Sequence, residues 1–584
     1  MRVFFDLMWF FKQEKKSYLA GISLLVMVAL FNLVPPLIVG RIVDQVKHHT
    51  LSSKALVRWL VIILVVALIV YVLRYLWRIL LFGNAIKLST LLRSRLYKHF
   101  SLMSPQFYHN HRIGDLMAHS TNDIRAIEAT ATDGILTLVD SITTGSVVIA
   151  TMAIMINWKL TLVALIPMPI MAIATSHYGT LLHRRFAKAQ AAFSDINDKV
   201  QENISGMRVI KAFGQEDYEE RTFTELSTDV VDKNVAVAKI DALFDPTITL
   251  IVGLSFFLTV AVGAVFVVNG PLTIGGLTTF TMYLGQLIWP MLAFGWLFNI
   301  VERGRASNDR VNALFAIAPD IVDSESARDA PPTGAIQWSI PSFKYPNTET
   351  PVLEHIDVSI NKGATLGIVG KTGSGKTTLL RLLLREFDLQ EGAISIGGQR
   401  IHETKLAALR GTIAYVPQDH FLFSTTISGN IAFGKPTASI AEIERVAQIA
   451  SIHEDIMRFE DGYQTVVGER GVTLSGGQKQ RISIARALLL DADILILDDS
   501  LSAVDAKTEV DILDALQSMP TQRTTLIATH RLSAVEKADR IIVLEHGTIV
   551  EEGTHSQLLT ANGWYATMYQ RQQLESFVAE GGGR

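Results

Sequence analysis

Cysteine is absent from all 584 residues, so the chain has no disulfide framework, no thiolate metal site and no cysteine nucleophile. Any metal it holds rests on oxygen or imidazole. Charge is scarce as well: 19% of residues are Asp, Glu, Lys or Arg, against roughly 25% in an average soluble domain. With a mean hydropathy of +0.29, the chain is too apolar to be wholly soluble, and a membrane portion is expected. The net charge of −3 argues neither for nucleic acid nor for a polyanionic partner.

The scarcity of charge is concentrated in the first half. Residues 1–16 set Phe4, Phe5, Met8, Trp9 and Phe11 beside a basic end, which suits a short helix in the membrane interface. Asp6, and the lack of a small-residue cleavage site before the next apolar run, argue against a signal peptide. Ser17 to Gly40 is free of charge for 24 residues, enough to cross the hydrocarbon core, with Pro35 and Pro36 loosening its end. A second crossing runs from Trp59 past Arg74 and Arg78 to about Ile86. Ser141 to Trp158 and Leu160 to Ser176, parted by Lys159, predict a third and fourth that turn at Asn157. Pro246 to Val301 is charge-free for 56 residues and breaks at Asn269-Gly270-Pro271, giving a fifth and a sixth.

Six crossings leave both termini on one side. That side carries 19 basic residues and the other carries five, so the excess places the termini and the two long polar segments in the cytoplasm. Those segments, Lys87 to Asp133 and Leu182 to Asp245, are mostly helix-forming and, at about 1.5 Å per residue, project beyond the bilayer. Tyr108 to Leu116 and Ala212 to Glu216 interrupt them, as turns at a far tip would.

After helix-like Glu302 to Ala318, the proline-bearing stretch to Gly334 reads as a domain boundary. Beyond it, strand-type runs (Leu366 to Val369, Ile413 to Val416, Ile494 to Leu497, Thr525 to Ala528, Ile541 to Leu544) alternate with helical stretches, which predicts a mixed α/β domain. At its start, Gly370-Lys371-Thr372-Gly373-Ser374-Gly375-Lys376-Thr377 fits G-x-x-x-x-G-K-S/T after an apolar strand. The glycines let backbone N–H groups turn inward around phosphate oxygens, Lys376 reaches the β and γ phosphates, and the Thr377 hydroxyl can ligate Mg²⁺. The helix opening at Thr378 turns its positive end to the same anion. Ile494 to Asp498 is a buried strand that delivers a carboxylate 122 residues after Lys376, placed to hold the Mg²⁺ of a bound nucleotide. Between them, Ser475 of Leu474-Ser475-Gly476-Gly477-Gln478 caps a helix whose first N–H groups stay free for an anion.

Taken in order, Tyr345, the Gly370–Thr377 loop, Gln418, Leu474 to Gln478, Asp498, Ser502-Ala503-Val504-Asp505 and His530 resemble the ATP-binding-cassette family. The likeness covers nearly the whole chain, since six helical crossings followed by one cassette match an exporter half-transporter. The resemblance is nearest to one subunit of bacterial heterodimeric multidrug exporters of the BmrC and BmrD kind. It implies a type I exporter membrane domain over residues 1–318 with an interfacial helix and cytoplasmic coupling segments. A linker over 319–334, a P-loop nucleotide-binding domain over 335–575 and a flexible tail over 576–584 follow. It also implies ATP and Mg²⁺ as cofactors and a bacterial cell membrane location with the cassette in the cytoplasm. Under it Tyr345 stacks on adenine, Gln418 touches Mg²⁺ with Thr377 and Asp498, and His530 contacts the γ phosphate. Ser475, Gly476, Gly477 and Gln478 would bind ATP held by a partner chain, so each site needs two cassettes. The tips near Ile113 and Phe213 would be coupling helices.

One departure stands out. Asp499 follows Asp498 where the family usually has the Glu that polarises attacking water. Asp is one methylene shorter, and a displacement of about 1 Å in a catalytic group costs on the order of 100-fold in rate. The expectation is a weak site on this chain's own loop, with Ser475 to Gln478 intact for a partner that supplies Glu, which favours a heterodimer over a homodimer. For the transported compound, an amphipathic small molecule or drug, Arg74 and Arg78 are the candidate cavity residues, because intramembrane charge faces protein or water. The aromatics Trp289, Phe294, Trp296 and Phe298 read as packing or interface anchors. A lipid flippase would share every motif, and an ATP-gated sensor complex is a reading of another class. Six crossings exclude a soluble DNA-repair ATPase.

Overall fold

The computed structural model describes residues 2–346, 348–468, 474–519 and 523–581. They form two compact units, Met1–Leu102 with His109–Ala318, and Met103–Tyr108 with Pro319–Arg584.

The first unit is helical. Among the described residues five helical segments are long and apolar enough to cross a membrane: Lys15–Lys47, Ser53–Leu102, Ile113–Leu165, Glu216–Val268 and Ile274–Ala316. That is one fewer than the six crossings expected, and the difference lies at the third and fourth. Ile113–Leu165 is not one rod, because Asn157 is extended (φ −162°, ψ 117°) and its side chain accepts from Leu160 N to start a new helix, Trp158–Leu165. The expected fourth crossing begins there but is interrupted at Ile166-Pro167 before Met168–Ser205 continues. Proline has no N–H to give to the preceding turn, so no single apolar helix covers Leu160 to Ser176.

Pro35 and Pro36 break the first crossing in the same way, and carbonyls around the break, Asn32 O freed by Pro36 among them, accept from a neighbouring helix. Tyr283 Oη donates to Leu33 O at 2.6 Å, Gln286 Nε2 to Asn32 O at 3.1 Å, and Thr279 Oγ1 to Pro36 O at 3.2 Å. These bonds need a close approach, and Gly275 provides it, since a Cβ there would lie 2.0 Å from Gly40 O. At the N-terminus, Val3, Leu7 and Phe10 are the buried face of the short leading helices, while Phe5 and Trp9 stay exposed.

A buried carboxylate ties the segment around Asp123 to the helix Ile288–Ala316. Asp123 accepts from Ser307 Oγ at 2.8 Å, from Arg310 Nε at 3.0 Å and Nη2, and pairs with His119 Nδ1 at 2.6 Å. It sits on a π-helical turn, His119–Asp123, which rotates the side chain towards Ile288–Ala316. Asp123→Ala strands Ser307 and Arg310 without their acceptor. The expected loss is about 2 kcal/mol, read as a lowered melting temperature of the detergent-purified protein, with Asp123→Glu recovering part of it.

The second unit holds ten strands among the described residues. They are β1 (Ile336–Phe343), β2 (Leu353–Ile360), β3 (Thr365–Gly370), β4 (Ala393–Ile396), β5 (Gln399–Arg400), β6 (Ile413–Val416), β7 (Ile494–Asp498), β8 (Thr524–Ala528), β9 (Arg540–Glu545) and β10 (Thr548–Gly553). β2-β1-β4-β5 form an antiparallel sheet, and β10-β9-β3-β8-β7-β6 a second sheet in which β9, β3, β8, β7 and β6 run parallel. A parallel sheet is covered on both faces, so its strands read as unbroken apolar runs. Every residue of β7 is buried, with Leu495 and Leu497 in one apolar core and Ile494 and Ile496 in another. The last helix, Trp564–Gly581, is longer than the tail expected from residue 576 allows, and 582–584 lie outside the described residues.

Candidate functional site

Parallel strands send all their carboxyl ends to one edge, and the loops leaving that edge gather side chains that are far apart in sequence. β3 delivers Gly370, β8 leads to His530, β7 ends at Asp498, and Gln418 lies two residues beyond β6. The register fixes this: Ile368 pairs with Ala528, Ala528 with Asp498, and Val416 with Leu497.

The loop after β3 requires glycine at its start. Gly370 has φ 147°, and a Cβ there would lie 2.2 Å from Leu544 O. Lys376 opens the helix Lys376–Leu383 and is buried, its Nζ donating to Gly370 O at 2.8 Å and Lys371 O at 3.0 Å. Burial pulls the Lys376 pKa down, while Asp499 and Asp498 oppose the shift. His530 Nε2 stands 3.3 Å from Lys376 Nζ. Its pKa is lowered by burial first and by the ammonium second. Inside the loop, Ser374 Oγ is buried with no hydrogen-bond partner. An unsatisfied hydroxyl among inward-turned amides fits a phosphate oxygen.

Thr377 Oγ1 donates to Asp498 Oδ1 at 3.0 Å, and Tyr415 Oη donates to Asp498 Oδ2 at 3.3 Å. Burial pushes the Asp498 pKa up, and the two hydroxyls partly restore its charged form. The converging hydroxyl and carboxylate oxygens fit a hard cation such as Mg²⁺ that also takes phosphate ligands. Gln418 is exposed and makes no hydrogen bond to either among the described residues. Tyr345 meets Phe343 and Phe387 edge-on, with centroids 5.4 and 5.0 Å away, and its hydroxyl lies 2.8 Å from Thr378 Oγ1. Lys371 pairs with Glu545 at 3.0 Å on the rim.

Asp499 has φ 46°, in the left-handed region where Asp is among the few tolerated side chains. Its N–H donates to Ala528 O at 2.7 Å, and its carboxylate makes no hydrogen bond among the described residues. Ser475 caps Gly476–Leu489 in a reciprocal box: Gln478 N donates to Ser475 Oγ at 3.3 Å, and Ser475 N to Gln478 Oε1 at 3.0 Å. Ser475 and Gly476 are exposed, and no hydrogen bond joins Ser475 to Gln478 with the Gly370–Thr377 loop among the described residues.

Several participants escape the sequence. Gln480 is buried, and its Oε1 accepts from Ala503 N at 3.0 Å while Nε2 reaches Ser502 Oγ at 3.3 Å, tying the serine-capped helix to the Ser502–Asp505 turn. Arg531 donates to Ser502 O, Val504 O and Glu509 Oε2, each within 2.9 Å, and so fixes the same turn to the chain beside His530. Tyr415 carries no motif at all. A long polar side chain on a buried helix face, as at Gln480, is the one signal that was available.

Arg74 and Arg78 lie one turn apart on Ser53–Leu102, both exposed, with the Arg78 guanidinium 5.7 Å from the Trp77 ring centroid. Trp289, Trp296 and Phe298 are exposed, and the Phe294 side chain lies outside the described residues.

Residues 18–291 match the family described as the ABC transporter transmembrane region, and residues 353–502 match the ABC transporter family. The chain is 48% identical over 577 residues to the multidrug resistance-like ATP-binding protein MdlA of Escherichia coli (strain K12), covering 99% of this chain and 98% of that one. It is 47% identical over 575 residues to the probable multidrug resistance ABC transporter ATP-binding/permease protein YheI of Bacillus subtilis (strain 168), covering 98% of each. Among solved structures, a bacterial Atm1-family ABC exporter with ATP bound superposes with a TM-score of 0.79 at 26% identity, over 96% of this chain and 98% of the other.

Proposed function

We propose, from the premise that the chain belongs to the ABC transporter family as a bacterial exporter half-transporter, that it is one subunit of a heterodimeric pump for amphipathic drugs. The protein is a multi-pass membrane protein with a cytoplasmic nucleotide-binding domain whose ATP hydrolysis is coupled to transport. What is proposed is the substrate, the unlike partner and the unequal sites. In this reading residues 1–318 are the membrane domain, 319–334 the linker and 335–575 the cassette.

The observation that carries the reading is a division of parts. The groups suited to a triphosphate, from Ser374 and Lys376 to Thr377, Asp498 and His530, lie on one strand edge, while the serine-capped helix start is exposed and shares no hydrogen bond with them among the described residues. A second chain's helix start is then needed to close the site. Tyr345 would take the adenine ring, the Gly370–Thr378 backbone and Lys376 the phosphates, and Ser475 to Gln478 the nucleotide of the partner. Thr377, Asp498 and Gln418 would hold Mg²⁺, which supplies charge neutralisation on the phosphates. His530 sits beside Lys376, on the γ-phosphate side. Binding closes the paired cassettes and turns the membrane cavity outward, and hydrolysis reopens them.

Transport in inverted membrane vesicles containing the chain and its co-purifying mate tests this. ATP-dependent accumulation of an amphipathic dye, saturable and competed by unlabelled drug, is the expected result. Movement of a fluorescent lipid alone would overturn the drug reading, and ATP hydrolysis without movement of either would overturn the pump.

A further inference from the structure

The last helix, Trp564–Gly581, reaches the candidate ATP site through one side chain. Parallel pairing holds β8 as far as Thr529, whose N–H donates to Ile368 O at 3.1 Å. Past that point the ladder ends, and the chain turns through His530 and Arg531 into the short 3₁₀ helix Leu532–Val535. Two main-chain groups are left over at this turn, the carbonyl of His530 and the N–H of Leu532, and neither has a backbone partner among the described residues. The first N–H groups of a helix have no acceptor within it. Gln572 takes up both: its Nε2 donates to His530 O at 2.7 Å, and its Oε1 accepts from Leu532 N at 2.9 Å. A side-chain amide offers a donor and an acceptor side by side, and here the two partners fix which end is which. Gln572 is itself held. It follows Tyr565 and Tyr569 at helical spacing on one face; Tyr565 is buried, and Tyr569 Oη donates to Glu536 Oε1 at 2.8 Å just past the same 3₁₀ helix. The clamp therefore sits on a packed helix, and it bears on the residue whose Nε2 stands 3.3 Å from Lys376 Nζ.

We propose that Gln572 is a positioning residue of this chain's own nucleotide site. By holding the main chain on both sides of Arg531, it keeps the His530 ring at the γ-phosphate end of Lys376, so that the loop prefers ATP to ADP. ADP has no γ phosphate, so a displaced ring costs ATP a contact and leaves ADP as it was. A hydrogen bond to a charged group is worth about tenfold or more in affinity. The role concerns recognition of the third phosphate and is independent of the reach of Asp499, so it applies equally at a weakly hydrolysing site. It rests on the reading of Gly370 to Thr377 as an ATP cradle with His530 on its γ side, and it adds a residue from outside the motifs.

The test uses the full-length complex of the chain with its mate, kept on ice with Mg²⁺, and photolabelling of this chain by azido-ATP carrying its label on the α phosphate. Unlabelled ATP and ADP compete, and the ratio of their half-displacing concentrations gives the preference. Gln572→Leu, which loses both bonds but suits a helix, is expected to lower the preference for ATP by about tenfold, with ADP competing within about twofold of its original concentration. Gln572→Glu keeps an acceptor for Leu532 N but has no hydrogen for His530 O at neutral pH, and the same fall is expected. In the His530→Ala background, Gln572→Leu is expected to shift the ratio by no more than about twofold. An unchanged ratio, an equal weakening of both nucleotides, or an equal fall in both backgrounds would overturn the role. Loss of all labelling in both Gln572 variants would mark a purely structural residue and overturn it too. Two other outcomes fall on the reading beneath and take the inference with it: no labelling of the unsubstituted chain would overturn the ATP cradle, and a His530→Ala ratio equal to that of the unsubstituted chain would overturn the γ-side placement.

Discussion

Asp499→Glu is expected to raise hydrolysis at the site built on this chain's own loop by about 100-fold, with ATP affinity changed by less than about threefold. The carboxylate at this position follows a fully buried strand whose end is pinned by the Asp499 N–H to Ala528 O bond. The backbone therefore cannot slide outward to make up the missing methylene. The substitution carries a cost in the opposite direction. At φ 46° an Asp is better tolerated than a Glu, and the longer residue loses about 1 kcal/mol of stability. The two effects are read separately: faster decay of a γ-labelled azido-ATP on this chain, and a melting temperature lowered by a few degrees. A rate that stays flat while the melting temperature falls would show that reach does not limit this site. The asymmetric reading would then be lost.

Lys376→Ala is expected to weaken ATP binding at the same loop by more than about 100-fold and to remove the transport that depends on it. The ammonium is buried and holds Gly370 O and Lys371 O, so it fixes the curvature of the loop as well as presenting charge. Burial disfavours its charged form and lowers its pKa, so an anion placed beside it supplies the counter-charge that burial withholds. Lys376→Arg does not substitute, because a planar guanidinium cannot occupy a slot shaped for a compact ammonium between two carbonyls. Photolabelling of this chain is the measure, and labelling that persists in both variants would show that the loop is not the nucleotide's cradle. The mate's loop should still label, which separates this outcome from a complex that has failed to assemble.

Much of this site was legible without coordinates, for a reason that differs from residue to residue. Gly370 to Thr377 is one contiguous segment whose chemistry depends on backbone conformation and on spacing, and both are written locally. β3, β6, β7, β8 and β9 were readable because strands buried on both faces have to be apolar throughout. β1 and β2 alternate buried and exposed residues, as half-covered antiparallel strands do, and with β4, β5 and β10 they passed unread. Tyr415, Gln480 and Arg531 were not readable either, since each acts on a partner that lies 19 to 83 residues away in the chain.

The membrane half divides along the same line. Its charge-free runs fixed that helices cross, because a bilayer admits no other open-chain solution for buried backbone groups. They did not fix where each helix stops, which depends on whether a proline's orphaned carbonyl finds a donor, as Asn32 O does from Gln286. The amino-acid order by itself determined the class of chemistry, a triphosphate cradle beside a membrane domain, because that chemistry is local in the chain. Only the folded sheet decided which distant side chains complete it. Strand order and register, set by packing over the whole domain, bring Thr377 to Asp498 and Lys376 to His530.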